Sequence, residues 1–247
     1  MTQVSRMVLI GALAVLAGCA ANGGDRGSAS GHMQADAKLT PAQSEAKTRL
    51  DAQMAEAERT KQSYRAMSNA ALLDKLMEHG KARVEPFNSP AYRELQDRRD
   101  VDPQALTSLV TANPNADGLL PLLLLRRLDN EAYLKTPAEL RARVLTEALP
   151  ASKFFNEWGL PGFYLQDASS AMIESGRSAL PALRHLLGDC RPAPVFGSKE
   201  YMIYLRYKFR VCDYALFFVE AIGGNSQFQM PESVEARDAL IRKAIGD

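Results

Sequence analysis

The sequence predicts an all-α fold: stacked helical hairpins preceded by a long N-terminal helix. Three observations point there. Helix starts of cap-plus-proline type recur at Thr40-Pro41, Asp102-Pro103 and Thr136-Pro137, where the cap side chain accepts a free amide and proline fills a position whose N–H has no partner. Apolar residues between the turn signals recur at spacings of three and four, the period of a helix with one buried face. Strict alternation, the mark of a strand, occurs once, in Leu205-Arg206-Tyr207-Lys208-Phe209-Arg210-Val211. Even there Tyr204, Tyr207, Val211, Ala215, Phe218 and Ile222 keep helical spacing, so a continuous helix is expected.

In chain order, residues 1–18 read as an export segment. Arg6 is followed by the apolar run Met7–Ala17, eleven residues long. A helix needs about 20 residues to cross a bilayer, whereas a secretory signal core takes about 7 to 15. The run ends in Leu16-Ala17-Gly18-Cys19, which resembles the lipobox of bacterial lipoproteins at all four positions. The resemblance implies cleavage before Cys19, a diacylglycerol on its sulfur, acylation of its new amino group, and a bilayer as partner. Ala20 after the lipidated cysteine goes, in that family, with sorting to the outer membrane, facing the periplasm. The alternative is an ordinary signal peptide or signal anchor in which Cys19 is incidental.

Residues 19–40 read as a spacer of small and polar residues, too poor in apolar surface to order itself. Residues 41–80 read as one long polar helix. Its apolar face is thin at Leu50, Met54, Ala57 and Tyr64, then thickens through Met67, Leu72, Leu73, Leu76 and Met77. Residues 81–247 are expected to form the main domain, with helices over Asp102–Thr111, Leu119–Leu134 and Thr136–Leu149. An aromatic loop, Phe154–Tyr164, follows. Then come an amphipathic stretch, Leu165–Ser175, and a second, Ala179–Leu187, ending at Gly188-Asp189. This pair, with its Ala-Leu-Pro-Ala-Leu and Leu-Leu-Gly-Asp segments, and the Arg-Val-x-Asp-x-Ala pattern at Arg210–Ala215, resembles a HEAT-type repeat over roughly residues 164–245. The resemblance implies a stacked α-α superhelix that works as a binding or scaffold surface.

The chain has 30 Lys+Arg against 29 Asp+Glu, so nothing draws the whole molecule to a nucleic acid. Without Arg6 the balance is 29 to 29, a formal charge of zero. No nucleophile motif, metal-ligand spacing or Gly-rich phosphate loop is present, so no cofactor and no enzymatic role is expected. His32, His79 and His185 are scattered. Asp167 and Glu174 share a predicted helix face seven residues apart, but charged pairs on a wet face are common. Cys190 and Cys212 remain once Cys19 is lipidated. In an oxidising compartment they are a candidate disulfide, with two buried free thiols as the alternative.

Phe155, Trp158, Phe163 and Tyr164 are candidates for a binding platform, or for a plug between two helical hairpins. Tyr201, Tyr204 and Tyr207, interleaved with Lys199, Arg206, Lys208 and Arg210, are candidates for an anionic surface or for snorkelling side chains on a packed helix. The expected function is a membrane-anchored envelope lipoprotein presenting a helical interaction domain to a protein that the sequence does not identify. The alternative is a small envelope enzyme, or an accessory of one, acting on peptidoglycan or glycan through the Trp158 loop with Asp167 or Glu174.

Overall fold

A computed structural model describes residues 40–225 and 227–246, of which the side chains of Ser198 and Lys199 are left undescribed. The lipobox, Cys19, His32 and most of the spacer lie outside the described residues. The chain divides into two units at Thr48 and Arg49. In the first unit, Thr40 caps the start of α1 (Pro41–Arg65), its hydroxyl accepting from the Gln43 amide at 3.3 Å.

The all-α class holds: twelve α-helices and one two-stranded sheet make up the regular structure of the described residues. The second unit contains the end of α1, then α2 (Asn69–Lys81), α3 (Pro90–Asp97), α4 (Pro103–Ala112), α5 (Leu119–Leu128), α6 (Asn130–Lys135) and α7 (Ala138–Ala151). A short antiparallel pair follows, β1 (Gly159–Leu160) with β2 (Tyr164–Leu165). The chain ends with α8 (Asp167–Glu174), α9 (Leu180–Leu186), α10 (Ser198–Tyr207), α11 (Val211–Ile222) and α12 (Val234–Ile245).

The expected single helix over 41–80 is two helices. Ser68 starts a new one, its hydroxyl accepting from the Ala71 amide at 3.2 Å. Arg98 then closes the end of α1, donating to the Arg65 carbonyl at 3.0 Å and to the Asn69 side chain at 2.8 Å. A cation at a helix C-terminus opposes the local negative end of the dipole. None of α1 is fully buried, whereas α2 buries Leu72, Leu76 and Met77. The break separates the wet half of the pattern from the packed half.

The expected helix over Leu119–Leu134 also divides, because Asp129 caps a new start at the Ala132 amide. Helix α3, which the sequence reading passed over, begins at Ser89. That buried hydroxyl caps the Tyr92 amide and also meets His79 Nδ1 at 2.8 Å. Gly80 is needed where α2 meets the 116–118 turn: a Cβ there would stand 2.5 Å from the Asp117 carbonyl oxygen.

Packing mostly follows chain order. Helix α5 lies against α4, α6 and α2; α7 against the 116–118 turn and α8; α11 against α9 and α12. Helices α8 and α9 are joined by a 3-10 turn, Gly176–Ala179, that itself sits on α7. With that turn between them, α9 packs chiefly on α11, while α8 packs on α7.

The helix expected through residues 205–211 is interrupted. Helix α10 ends at Tyr207, and Lys208 turns left-handed at φ +51°. The backbone then runs extended, with the Ala193 amide donating to the Phe209 carbonyl at 2.9 Å and the Val211 amide to the Arg191 carbonyl at 3.0 Å. The alternating residues thus pair locally with the 191–193 segment before α11 begins.

Candidate functional site

The aromatic loop is mostly core. Phe155 and Trp158 are each 1% exposed, which corrects their place in an exposed platform. Trp158 Nε1 donates to Ser152 Oγ at 2.9 Å, its ring packs edge-on to Phe218 at 6.0 Å, and Ser169 donates to its carbonyl. Phe155 packs on Tyr214, whose hydroxyl donates to the Gly159 carbonyl at 2.7 Å. These contacts fasten the β1–β2 hairpin onto α8 and α11. Gly159, at φ +73°, is required because a Cβ there would collide with the Tyr164 carbonyl across the pair.

The tip of the hairpin and the end of β2 face outward. Phe163 is exposed and packs against Tyr207 at 5.0 Å, and Tyr164 is half-buried beside Glu200. Burial, and then the Glu200 charge and hydrogen bond, push the Tyr164 phenol up to about 12. The exposed surface continues along α10, which buries no residue fully. Of eleven large apolar side chains exposed among the described residues, six are Phe163, Leu165, Phe196, Tyr201, Met202 and Leu205. Scattered apolar residues on a surface need no explanation, whereas these six fall within residues 163–205.

Two of the basic residues beside it are paired with acids. Arg206 pairs with Glu232, and Arg210 pairs with Asp213 at 3.0 Å and Asp238 at 2.6 Å. Of the two readings of these residues, the pairing weakens the anionic surface, although Lys208 stays exposed. Beside them lies an apolar and aromatic surface.

A second feature lies between α3, the end of α5 and the start of α8. It is a cleft of about 390 Å³. Glu157 and the buried Tyr92 form its inner wall, and Arg93, Gln96 and Asp97 of α3 stand on one side. Arg127, Gln166 and Asp167 stand on the other, and Phe87, 75% exposed, forms an edge. Asp167 is held by Arg127 at 3.4 Å and Arg126 at 3.6 Å. Burial raises the Glu157 carboxyl to about 7, and the charges of Glu85 and Asp167 add to the rise; the Phe87 amide opposes it. Glu85 is raised in the same direction by burial, and its Oε1 is buried without a hydrogen-bond partner. The two carboxyls also line a much smaller cavity of about 30 Å³ with Arg83 and Lys153.

Sequence reasoning missed Glu157. Its one signal was its place beside Trp158, which drew attention to the neighbouring ring instead. Asp167 and Glu174 do share a face of α8, through Arg126, whose guanidinium grips Glu174 with two hydrogen bonds at 2.7 and 2.9 Å. That contact holds the Glu174 carboxyl below its ordinary value. It is thereby fixed as an anion in an ion pair, and is no donor of protons near neutrality.

Cys190, just past α9, and Cys212, in the first turn of α11, are joined by a disulfide with Cα atoms 4.9 Å apart. Burial lowers the His79 imidazole, which bridges Ser89 and Tyr64. No group of three or more His, Cys, Asp or Glu side chains among the described residues is placed to hold a metal ion. No helix among them is long and apolar enough to cross a membrane.

The class defined by this geometry is an all-α domain with an apolar exposed face and a separate polar cleft. Compared with protein-family models, curated proteins and solved structures, the chain matches none of them.

Proposed function

We propose that this chain is a bacterial envelope lipoprotein, anchored through acylated Cys19 and facing the periplasm from the outer membrane. Its helical domain serves as a non-enzymatic interaction module of HEAT-like character. The observation that carries the interaction role is the concentration of exposed apolar side chains on α10 and the β1–β2 hairpin. Pairing of Arg206 and Arg210 with acids removes much of the attraction for an anionic surface and favours a protein partner. The Cys190–Cys212 disulfide supports an oxidising compartment. Packing between neighbours in the chain supports the repeat-like reading.

The test is a photo-crosslinking side chain placed at Met202 in growing cells, with the exposed Leu134 on α6 as the control position. A discrete protein adduct is expected at 202 and none at 134. Equal labelling at both positions, adducts to lipid alone, or an adduct of twice the chain's own mass would each overturn the assignment of a protein partner to this face.

A further inference from the structure

We propose that the cleft beneath Phe87 is a binding site for a neutral oligosaccharide. Three observations converge on that ligand class. First, at about 390 Å³ the cleft falls within the roughly 300–1,000 Å³ of small-molecule sites. Second, its polar side chains supply donors and acceptors together. Gln96 and Gln166 carry both kinds on one amide, Arg93 donates only, and Asp97 accepts only. A ligand rich in hydroxyl groups, each donor and acceptor at once, matches that mixture. A strongly charged ligand does not, because Arg93 and Arg127 stand among Asp97, Asp167 and Glu157 and neither sign prevails.

Third, Phe87 is 75% exposed at the edge of a polar cleft. Its ring is therefore open to a ligand that enters the cleft. The electron-rich face of an aromatic ring attracts partly positive hydrogens, and the axial C–H groups of a pyranose present such hydrogens on an apolar face. A sugar can therefore stack on Phe87 while its hydroxyls turn toward the glutamines and Asp97.

The backbone of Phe87 is held in place. It lies in a 3-10 turn, Pro86–Asn88, capped by the buried Ser89 and beginning α3 two residues later. Glu157 closes the inner end. Near neutrality its carboxyl is partly protonated, so it can donate to a sugar oxygen or accept from a hydroxyl.

This inference draws on the envelope assignment only for where such a ligand is met. Binding is measured on the purified full chain in detergent, so a negative result leaves the anchor reading intact. Chitotriose and cellotriose, neutral trisaccharides with and without an N-acetyl group, are titrated while amide and ring resonances are followed by NMR. Saturable binding of at least one is expected, with shifts at Phe87, Gln96 and Gln166. Phe87→Ala should weaken it at least tenfold at unchanged melting temperature, because the exposed ring contributes little to the core. Gln96→Ala should weaken it less. If neither trisaccharide binds, or if Phe87→Ala binds as well as the parent, the assignment is wrong.

Discussion

At the scale of single residues, Glu157 carries the clearest consequence of burial. An ordinary glutamate carboxyl titrates near 4.5, and here burial moves it to about 7. The folded chain therefore binds this proton more tightly than the unfolded chain does. The stability that follows is fully present below about pH 4.5 and is lost as pH rises through about 7. Glu85 acts in the same direction, whereas Glu174 and Asp189 are lowered by arginine partners and act in the opposite one. The parent's own pH profile therefore mixes both signs, and a comparison with Glu157→Gln isolates the one group. The glutamine variant should exceed the parent by on the order of 1–3 kcal/mol at pH 8 and match it near pH 5. Thermal unfolding at the two pH values checks this. An equal difference at both would mean that the proton plays no part.

At the scale of elements, the C-terminal helices are held by a buried charge network. Asp213 and Arg237 are both 0% exposed and lie 3.0 Å apart. Asp213 also accepts from the Arg210 amide at the start of α11. Arg237 donates to the carbonyls of Tyr207, Pro231 and Glu232, and so joins α12 to the end of α10. Removing the carboxylate strands a buried guanidinium, a change that typically costs about 3–5 kcal/mol. Asp213→Ala should lose that much in denaturant unfolding. Asp238→Ala, which removes the partly exposed partner of Arg210, should lose under about 1 kcal/mol. Comparable losses would show that burial does not set the cost.

The disulfide gives a second element-scale prediction. It closes a loop with a sequence separation of 22 between α9 and α11, and loop-closure entropy for that length corresponds to about 3 kcal/mol. Cys212→Ala should lower stability by that order and change the mobility of the unfolded chain only under non-reducing conditions. A parent insensitive to reductant would contradict it.

These contacts explain what the sequence disclosed and what it withheld. The starts at Pro41 and Pro103 were legible because a cap and a proline announce them within two or three residues; at α7 the proline marked the start, but Thr136 does not cap it, since its hydroxyl donates back to the Ala132 carbonyl at the end of α6. The break at Ser68 was not, since serine is tolerated inside a helix and what fixes the end of α1 is Arg98, some thirty residues away. The Lys208 turn was hidden for the same reason, its extended partner being the 191–193 segment. Nothing in the sequence marks Arg237 as buried, because its acceptors come from other places in the chain. Among the candidate site residues, Phe163 is exposed, as a binding platform would require. Trp158 is not, since the hydroxyl of Ser152 and the ring of Phe218 bury it.

At the scale of the whole molecule, the proposed lipoprotein reading makes a claim about what would hold the chain to a membrane. The apolar run at Met7–Ala17 is eleven residues, against the roughly 20 that a spanning helix needs. No described helix is long and apolar enough to cross. Charge supplies little hold, since 29 basic residues stand against 29 acidic ones once Arg6 is set aside with the first 18 residues. Acyl chains on Cys19, as proposed, would be a sufficient anchor, each buried CH₂ contributing about 0.8 kcal/mol and several chains holding far more firmly than one. The parent should therefore remain in the membrane pellet through a wash at about 1 M salt, where screening acts within about 3 Å. Cys19→Ser should appear in the soluble fraction of the envelope. The exposed face of α10 offers a competing mode of attachment, and the combination Met202→Glu with Leu205→Glu separates the two. If Cys19→Ser alone stays with the membrane and the added glutamates release it, attachment runs through α10 and the lipid assignment fails. If Cys19→Ser alone releases the chain, the acyl group is the anchor and α10 is left free for a protein.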